Sequence, residues 1–197
     1  MSALIGVERF ALVQKITLMV NRYEVRAAGP DGSPGPLLAM AQQKRVAFKE
    51  EVTFYADEDR RHPVFSFKAR SRIDLGATYD VRDAAGTPIG MFRKKFGASL
   101  LRSTWELEAA GVQATGQERS ARVAIARRAW EVIPFAENLP SPFLFHFDFV
   151  DAGGQLVMTS QRRRALRDRY DVHVPGARLD GRVAAAMAVA LDALQSR

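Results

Sequence analysis

The sequence predicts a mainly β protein whose strands enclose one apolar helix at the C-terminus. Two observations lead to this prediction: three stretches of the chain repeat the pattern of a β-hairpin, and the segment after Asp180 is apolar on every face of a helix. We count about ten to twelve strands, and that many strands in one domain form a sandwich or close into a barrel, because free edges invite aggregation. No linker or change in composition divides the chain, so we predict a single domain over residues 1–197.

Three segments share one arrangement of residue types. Each begins with an aromatic residue beside alternating apolar positions, passes through a glycine-containing turn into a second apolar strand, and ends in basic residues. Alternation with a period of two is the pattern of a strand with one buried face. We therefore predict hairpins in residues 22–45, 78–95 and 145–164.

Further strands lie between and after these hairpins. The segment "TFYADEDRRHPVFSFKAR" predicts two strands around a polar turn. The segments "LLRSTWELEAAG" and "DRYDVHVPG" each supply a third strand after a hairpin, and "ERFALVQKITLMV" supplies the first part of the sheet.

An amphipathic helix is predicted near residues 116–131. Thr115 and Glu118 have the spacing of a capping box, and apolar residues then recur at helical spacing as far as Pro134. The helix is basic and carries Trp130, a composition also found in helices that lie on membranes. Its apolar side is short, so we expect it to pack across one barrel mouth.

The terminal helix is predicted to be buried in protein. Asp180 is a suitable N-cap, and Val183 to Leu191 contains no charge. At about 1.5 Å per residue the helix is roughly 24 Å long, whereas the apolar core of a bilayer is about 30 Å thick. A coiled coil would leave one face polar. The run of alanines makes the helix thin enough to pass through the inside of a barrel.

The composition limits the classes of function. The net charge of +7 makes polyanions plausible partners, although the charge is spread along the chain. The absence of cysteine excludes disulfides, thiolate metal sites and a cysteine nucleophile. The first residues carry Glu8 and Arg9 where a signal peptide needs an apolar run. We expect a cytoplasmic protein, at most peripheral to a membrane, with no transmembrane segment.

The sequence carries no signature of an enzyme or a metal site. The three histidines have no metal-binding spacing, and the acidic run Asp57 to Asp59 lacks the alternation and glycine of a calcium loop. The glycine-containing stretches lie between strands and are therefore hairpin turns. We expect a protein that is not an enzyme, with no catalytic residues, no metal and no cofactor.

Basic clusters are the one feature with a functional interpretation. Alternate residues of a strand share a face, so cationic side chains at alternate positions project together. Equivalent places in the hairpins could bring such sets onto one rim, where arginine is well suited to bidentate phosphate contacts. The alternative is that these charges block edge pairing and keep the barrel soluble. The candidate anion-binding residues are Lys68, Arg70, Arg93, Lys95, Arg162 and Arg164.

Several stretches resemble one known family in the same order along the chain. The segment "SRIDLGATYDVRDAAGTPIGMFRKKFGASLLRSTWELEAAG" is similar to the central block of bacterial LURP-one-related proteins, which belong to the tubby C-terminal-like superfamily together with the phospholipid scramblases. Further matches are "FKEEVTFYADE", "ARRAW" before Ile133, and "LDGRVAAAMAVALDAL". The positions that carry the central resemblance are Tyr79, Val81, Gly86, Gly90, Arg93, Ser99, Arg102 and Trp105.

The resemblance implies a closed barrel of about twelve antiparallel strands threaded by a C-terminal apolar helix. It also implies a binding module for an anionic phospholipid or another phosphorylated ligand, since the tubby branch binds phosphoinositides through basic residues on the barrel wall. Features of the scramblase branch, such as a cysteine-rich segment, are missing from this chain. A scaffold for a protein partner is the alternative function. Nucleic acid is disfavoured because Phe65, Phe67 and Trp105 are expected to face the core.

Overall fold

The computed structural model describes residues 2–16, 20–29, 31–44, 51–70, 78–95, 104–119, 146–163 and 169–195. These residues form twelve strands and a C-terminal helix, α1 (Gly181–Gln195), which a short 3-10 turn at Pro175–Ala177 precedes. The strands are β1 (Arg9–Ile16), β2 (Val20–Ala28), β3 (Pro34–Lys44), β4 (Glu51–Tyr55), β5 (Pro63–Ala69), β6 (Thr78–Asp83), β7 (Pro88–Lys95), β8 (Thr104–Ala109), β9 (Val112–Glu118), β10 (His146–Val150), β11 (Leu156–Arg163) and β12 (Arg169–His173).

The twelve strands close into a barrel in which each strand is antiparallel to the next one along the chain. β12 returns to pair with β1, so that Leu12 lies opposite Tyr170. We call this junction between the first and last strands the seam. The closed antiparallel barrel of about twelve strands is therefore confirmed, and the sandwich is excluded.

Three of the hairpins have the same five-residue loop. In the β6–β7 loop the N–H of Asp83 donates to the carbonyl of Thr87 at 2.9 Å, and the N–H of Gly86 donates back to Asp83 at 3.0 Å. The β10–β11 loop at residues 151–155 and the β2–β3 loop at residues 29–33 repeat both bonds. The fourth residue is glycine each time, with φ between +77° and +84°, which glycine adopts without strain. The three predicted hairpins are thus confirmed.

Large aromatic side chains fill one side of the barrel interior. The inward residues of β4 to β8 include Phe54 and Phe65, whose rings stack with centroids 4.1 Å apart. Tyr79 stacks on Phe92 at 5.2 Å, and the Trp105 ring lies next to Phe92. These side chains recur at every second position of their strands, because alternate residues face the same side of a sheet.

The helix α1 begins at the residue that the sequence predicts. A carboxylate oxygen of Asp180 accepts a hydrogen bond from the N–H of Arg182 at 2.9 Å. The backbone carbonyl of Asp180 accepts a second one from the N–H of Ala184. Every residue from Val183 to Leu191 is at most 4% exposed. The helix contacts strands β1, β5, β7 and β12. A Cβ atom at Gly90 of β7 would lie 2.9 Å from Val183, so this glycine permits the close approach of helix and sheet.

The predicted helix near residues 116–131 is wrong at its beginning. Thr115 to Glu118 belong to strand β9, which pairs with β8 on one side and β10 on the other. Ala114, Gly116 and Glu118 are buried at alternate positions, a period of two that overrides the capping-box spacing. Residues 120–131 lie outside the described part of the chain.

One inward glycine of β9 makes room for an aromatic ring. A Cβ atom at Gly116 would lie 2.5 Å from Cζ and 2.6 Å from Cδ1 of Phe149, which is fully buried on β10. Atoms that are not bonded to each other do not approach this closely, so the Phe149 ring would have to move within a closely packed interior.

We predict that Gly116→Ala destabilises the protein by about 1–3 kcal/mol, the range for overpacking a core. Phe149→Leu shortens the opposing side chain, so the same alanine should cost less in the Phe149→Leu background. Urea unfolding of the two single variants and the double variant measures this coupling. Strictly additive effects would show that the Phe149 ring does not limit residue 116.

Candidate functional site

Arg93 and Lys95, two of the predicted anion-binding residues, share one carboxylate. Both lie on the outer face of β7 and form salt bridges with Glu106 of β8. The hydrogen bond from Lys95, opposed by partial burial and aided by Arg93, holds the pKa of Glu106 below its ordinary value. Glu106 therefore neutralises part of the positive charge at this place.

Lys68 and Arg70 lie on the same wall. Lys68 of β5 is in register with Glu51 and with Asp80. The Nη2 atom of Arg70 lies 2.7 Å from Asp80 Oδ1, and its Nε atom also donates to that oxygen, at 2.9 Å. The structure thus brings four predicted cations onto the outer face of β5 to β7, but intersperses them with acidic side chains.

Two grooves on this wall have acidic linings. They measure about 620 Å³ and 310 Å³ and share Met91 and Glu108. In each groove three carboxylates accompany a single arginine, so neither lining favours an anion. The charged residues are Arg70, Asp80, Glu108 and Asp180 in the larger groove, and Arg93, Glu106, Glu108 and Asp151 in the smaller.

Arg162 does not share a surface with Arg93 and Lys95, contrary to the prediction. It is only 9% exposed and is in register with Tyr170, whose hydroxyl lies inside the barrel. Register partners face the same side of a sheet, so Arg162 points inward and its neighbour Arg163 points outward. Arg162 lies at the second-to-last position of β11, opposite Tyr170. Arg164 lies outside the described residues.

A different group of cations surrounds Glu24 on the outer face of β2. Although this carboxylate faces outward, its side chain is only 1% exposed. Its oxygens lie 2.5 Å from Lys15 Nζ, 3.2 Å from Arg22 Nε and 2.9 Å from Arg26 Nη2. Three positive charges therefore meet a single negative charge.

The pKa of Glu24 reflects this environment. Burial alone would raise the pKa, but hydrogen bonds from Lys15 and Arg26, together with their charges, outweigh it and hold the pKa below its ordinary value of 4.5. Glu24 is therefore ionised at neutral pH, and its charge orients the surrounding cations.

A second group lies on the other side of β1. Asp171 of β12 accepts hydrogen bonds from Arg163 Nε at 2.7 Å and from Arg169 Nη2 at 2.9 Å. Val13 of β1 is in register with both Arg169 and Glu24, so the two groups flank the same strand. With strands about 4.8 Å apart, they lie about 10 Å from each other.

We call the two groups together the seam patch. Its wall carries five cations and two carboxylates, and the loop carboxylates of Glu58 and Asp31 reduce the excess to one positive charge. The side chains of the five cations are between 22% and 59% exposed. Loop residues add Glu58, 2.9 Å from Arg22, and Asp31 near Arg169. The cations of the seam patch are Lys15, Arg22, Arg26, Arg163 and Arg169.

Part of the seam patch could have been predicted from the sequence. Arg163 and Arg169 belong to a basic run that is visible in the chain, but Lys15, Arg22 and Arg26 are scattered singly. The alternation of Arg22, Glu24 and Arg26 places them on one face of a strand. The pairing of β1 with β12, which brings the two groups together, leaves no local signal.

Buried polar side chains contact the end of α1. Asp192 is 7% exposed and accepts hydrogen bonds from the hydroxyls of Tyr23, at 2.9 Å, and Tyr170. Gln14 donates to the Tyr23 hydroxyl at 3.3 Å. Buried carboxylates need such donors, so these contacts fix the last turns of the helix relative to β2 and β12.

The described residues hold no metal site and no membrane-spanning helix. No group of three histidine, aspartate or glutamate side chains among them could bind a metal ion. In the same part of the chain, no helix combines the length and hydrophobicity needed to cross a membrane.

We predict that Glu24→Gln removes a pH-dependent part of the stability. Because the folded-state pKa of Glu24 is lowered, its contribution is complete above pH 4.5 and is lost as the pH falls through the folded pKa. The difference in unfolding free energy between wild type and variant should therefore be largest at pH 7 and shrink below pH 4.5. Urea titrations from pH 3 to 7 measure it, and a constant difference would contradict the ion-pair assignment.

Comparison with known proteins identifies one family whose model matches the chain. A search of curated proteins found no match to the chain. The model of the LURP-one-related family matches residues 38–192, which include strands β4 to β12, most of β3 and most of α1. The chain belongs to the LURP-one-related family.

Proposed function

We propose that the protein is a non-enzymatic binding module whose seam patch holds phosphate groups, above all those of anionic phospholipids at a membrane surface. The observation that carries this proposal is the excess of positive charge around Glu24 and Asp171. Each carboxylate has more cationic neighbours than it can neutralise. The protein would lie in the cytoplasm and bind peripherally to a membrane surface.

The geometry of the patch suits phosphate oxygens. Arginine offers several donors in a fixed plane, and four of the five patch cations are arginines. The carboxylates of Glu24 and Asp171 hold some guanidinium groups in place before a ligand arrives, which lowers the entropy lost on binding. Likeness to the tubby branch of the superfamily, whose barrels bind phosphoinositides, supports the same ligand chemistry.

The decisive comparison is between two quadruple variants that lose equal charge from different walls. One replaces Lys15, Arg22, Arg163 and Arg169 of the seam patch with glutamine. The matched control replaces Lys68, Arg70, Arg93 and Lys95 on the β5–β7 wall. Co-sedimentation with phosphatidylcholine vesicles containing phosphatidylserine measures the membrane source, and calorimetry with inositol hexakisphosphate measures a soluble one.

We predict that the seam variant binds anionic vesicles at least tenfold more weakly than wild type, since a basic residue near a membrane contributes about 1 kcal/mol. The control should change the affinity by less than about threefold, and wild-type binding should weaken as salt rises. Equal losses in both variants would mean that only net charge matters. If the wild-type protein binds neither ligand, the result would favour the scaffold function.

We also propose that α1 is threaded along the barrel axis. It contacts the adjacent seam strands β1 and β12 and, across the ring from them, β5 and β7, and the residues of its middle are buried. A helix of small residues fits between the aromatic side chains of β4 to β8 and the opposite wall.

We predict that Met187→Asp costs several kcal/mol, because it places a charge without a partner at a position that is 0% exposed. Met187→Leu, of similar volume, should cost less than about 1.5 kcal/mol. Thermal and urea unfolding compare the two variants. A Met187→Asp protein that melts like wild type would place this side chain outside the barrel.

A further inference from the structure

The tip of the β2–β3 hairpin lies across the outer face of the barrel. The carbonyl of Gly32, in the tip, accepts a hydrogen bond from Nη2 of Arg169 on β12. β1 separates β2 from β12 in the ring, so the tip reaches over one whole strand. Two register shifts, between Val25 and Arg26 and between Arg26 and Ala28, bend the hairpin at its base.

The covered strand supports the same placement. Ala11 of β1 is in register with Asp171 and Arg26, both of which form ion pairs on the outer surface. It therefore faces outward, yet it is only 1% exposed. Arg26 of β2 also donates to the carbonyl of Gly35 on β3 at 3.1 Å, which joins the two strands of the hairpin near its tip.

The tip presents to the seam patch the same chemistry as an anionic ligand. The Gly32 carbonyl occupies a guanidinium donor of Arg169, and the Asp31 carboxylate adds a negative charge near that arginine. The carboxylate of Asp31 accepts hydrogen bonds from the N–H of Ser33, at 2.9 Å, and from the Ser33 hydroxyl, which hold it in the loop. A phosphate group and the hairpin tip thus compete for the same donors.

We propose that the β2–β3 tip is an autoinhibitory flap over Arg169, which a phosphorylated ligand displaces. The inference rests on the proposed function of the seam patch and adds its regulation. When the flap leaves, Arg169 keeps its hydrogen bonds to Asp171, so the arginine remains oriented towards the patch. The apparent affinity of the ligand then depends on the fraction of molecules whose flap is open.

The chain offers a matched pair of loop variants for the test. Ala28 is in register with Pro34, and Arg82 is in register with Pro88, so each hairpin encloses five loop residues, and the same two backbone hydrogen bonds close both loops. Replacing residues 29–33 with Asn-Gly, which favours a two-residue hairpin turn, removes the flap. Replacing residues 83–87 with Asn-Gly is the control, since that loop joins β6 and β7, away from the seam.

Dissociation constants for vesicles of phosphatidylcholine and phosphatidylserine are measured for wild type and both loop variants. We expect the flap variant to bind about three- to tenfold more tightly, tenfold corresponding to a flap closed in about 90% of molecules. The control should bind like wild type. Asp31→Asn, which keeps the loop but removes its charge, should tighten binding by a smaller factor and serves if the shortened hairpin fails to fold.

The outcomes separate the two proposals. If wild type binds through the seam patch and neither the flap variant nor Asp31→Asn binds more tightly than the control, the flap is overturned while the proposed function stands. If no protein binds anionic vesicles or inositol hexakisphosphate, both proposals fail. Binding by the flap variant alone supports both, because it shows a patch that the tip had covered.

Discussion

The pairing of β1 with β12 is the contact on which the rest of the structure depends. Ten of the twelve strands pair only with their neighbours in sequence, and this pairing alone joins the two ends of the sheet. It removes the last free edges, which would otherwise expose unpaired backbone groups. It also forms part of the surface against which α1 packs, because the helix contacts both seam strands.

The seam also creates the charged surface that we consider functional. Lys15, Arg22 and Arg26 come from the N-terminal strands, whereas Arg163 and Arg169 come from the last two. Closure brings these groups to either side of Val13, around carboxylates that orient them. On the β5–β7 wall the cations likewise alternate with carboxylates, those of Asp80, Glu106 and Glu108. The location of the candidate site thus follows from topology more than from the number of basic residues.

The sequence predicts local structure well because period-two alternation and loop glycines act over a few residues. The hairpins, the strand count and the cap at Asp180 follow from such signals. Closure was implied by resemblance to a family, since no local pattern distinguishes a barrel from a sandwich. The errors have physical causes. Thr115 and Glu118 have capping-box spacing, but two flanking strands recruit them into β9. The equivalence of the hairpins predicts Arg162 on one surface with Arg93 and Lys95, yet strand parity turns it inward, beside Tyr170.

The order of the strands has a consequence for the synthesis of the protein. Eleven of the twelve strand pairings join neighbours in sequence and can form as hairpins while the chain is still emerging from the ribosome. The remaining one brings together Arg9–Ile16 and Arg169–His173, a loop closure over about 160 residues whose entropy must be lost in one step. Until that segment and α1 have been translated, the nascent sheet keeps two open edges and an unfilled apolar face. Such an intermediate exposes apolar surface and unpaired strand edges, which promote aggregation.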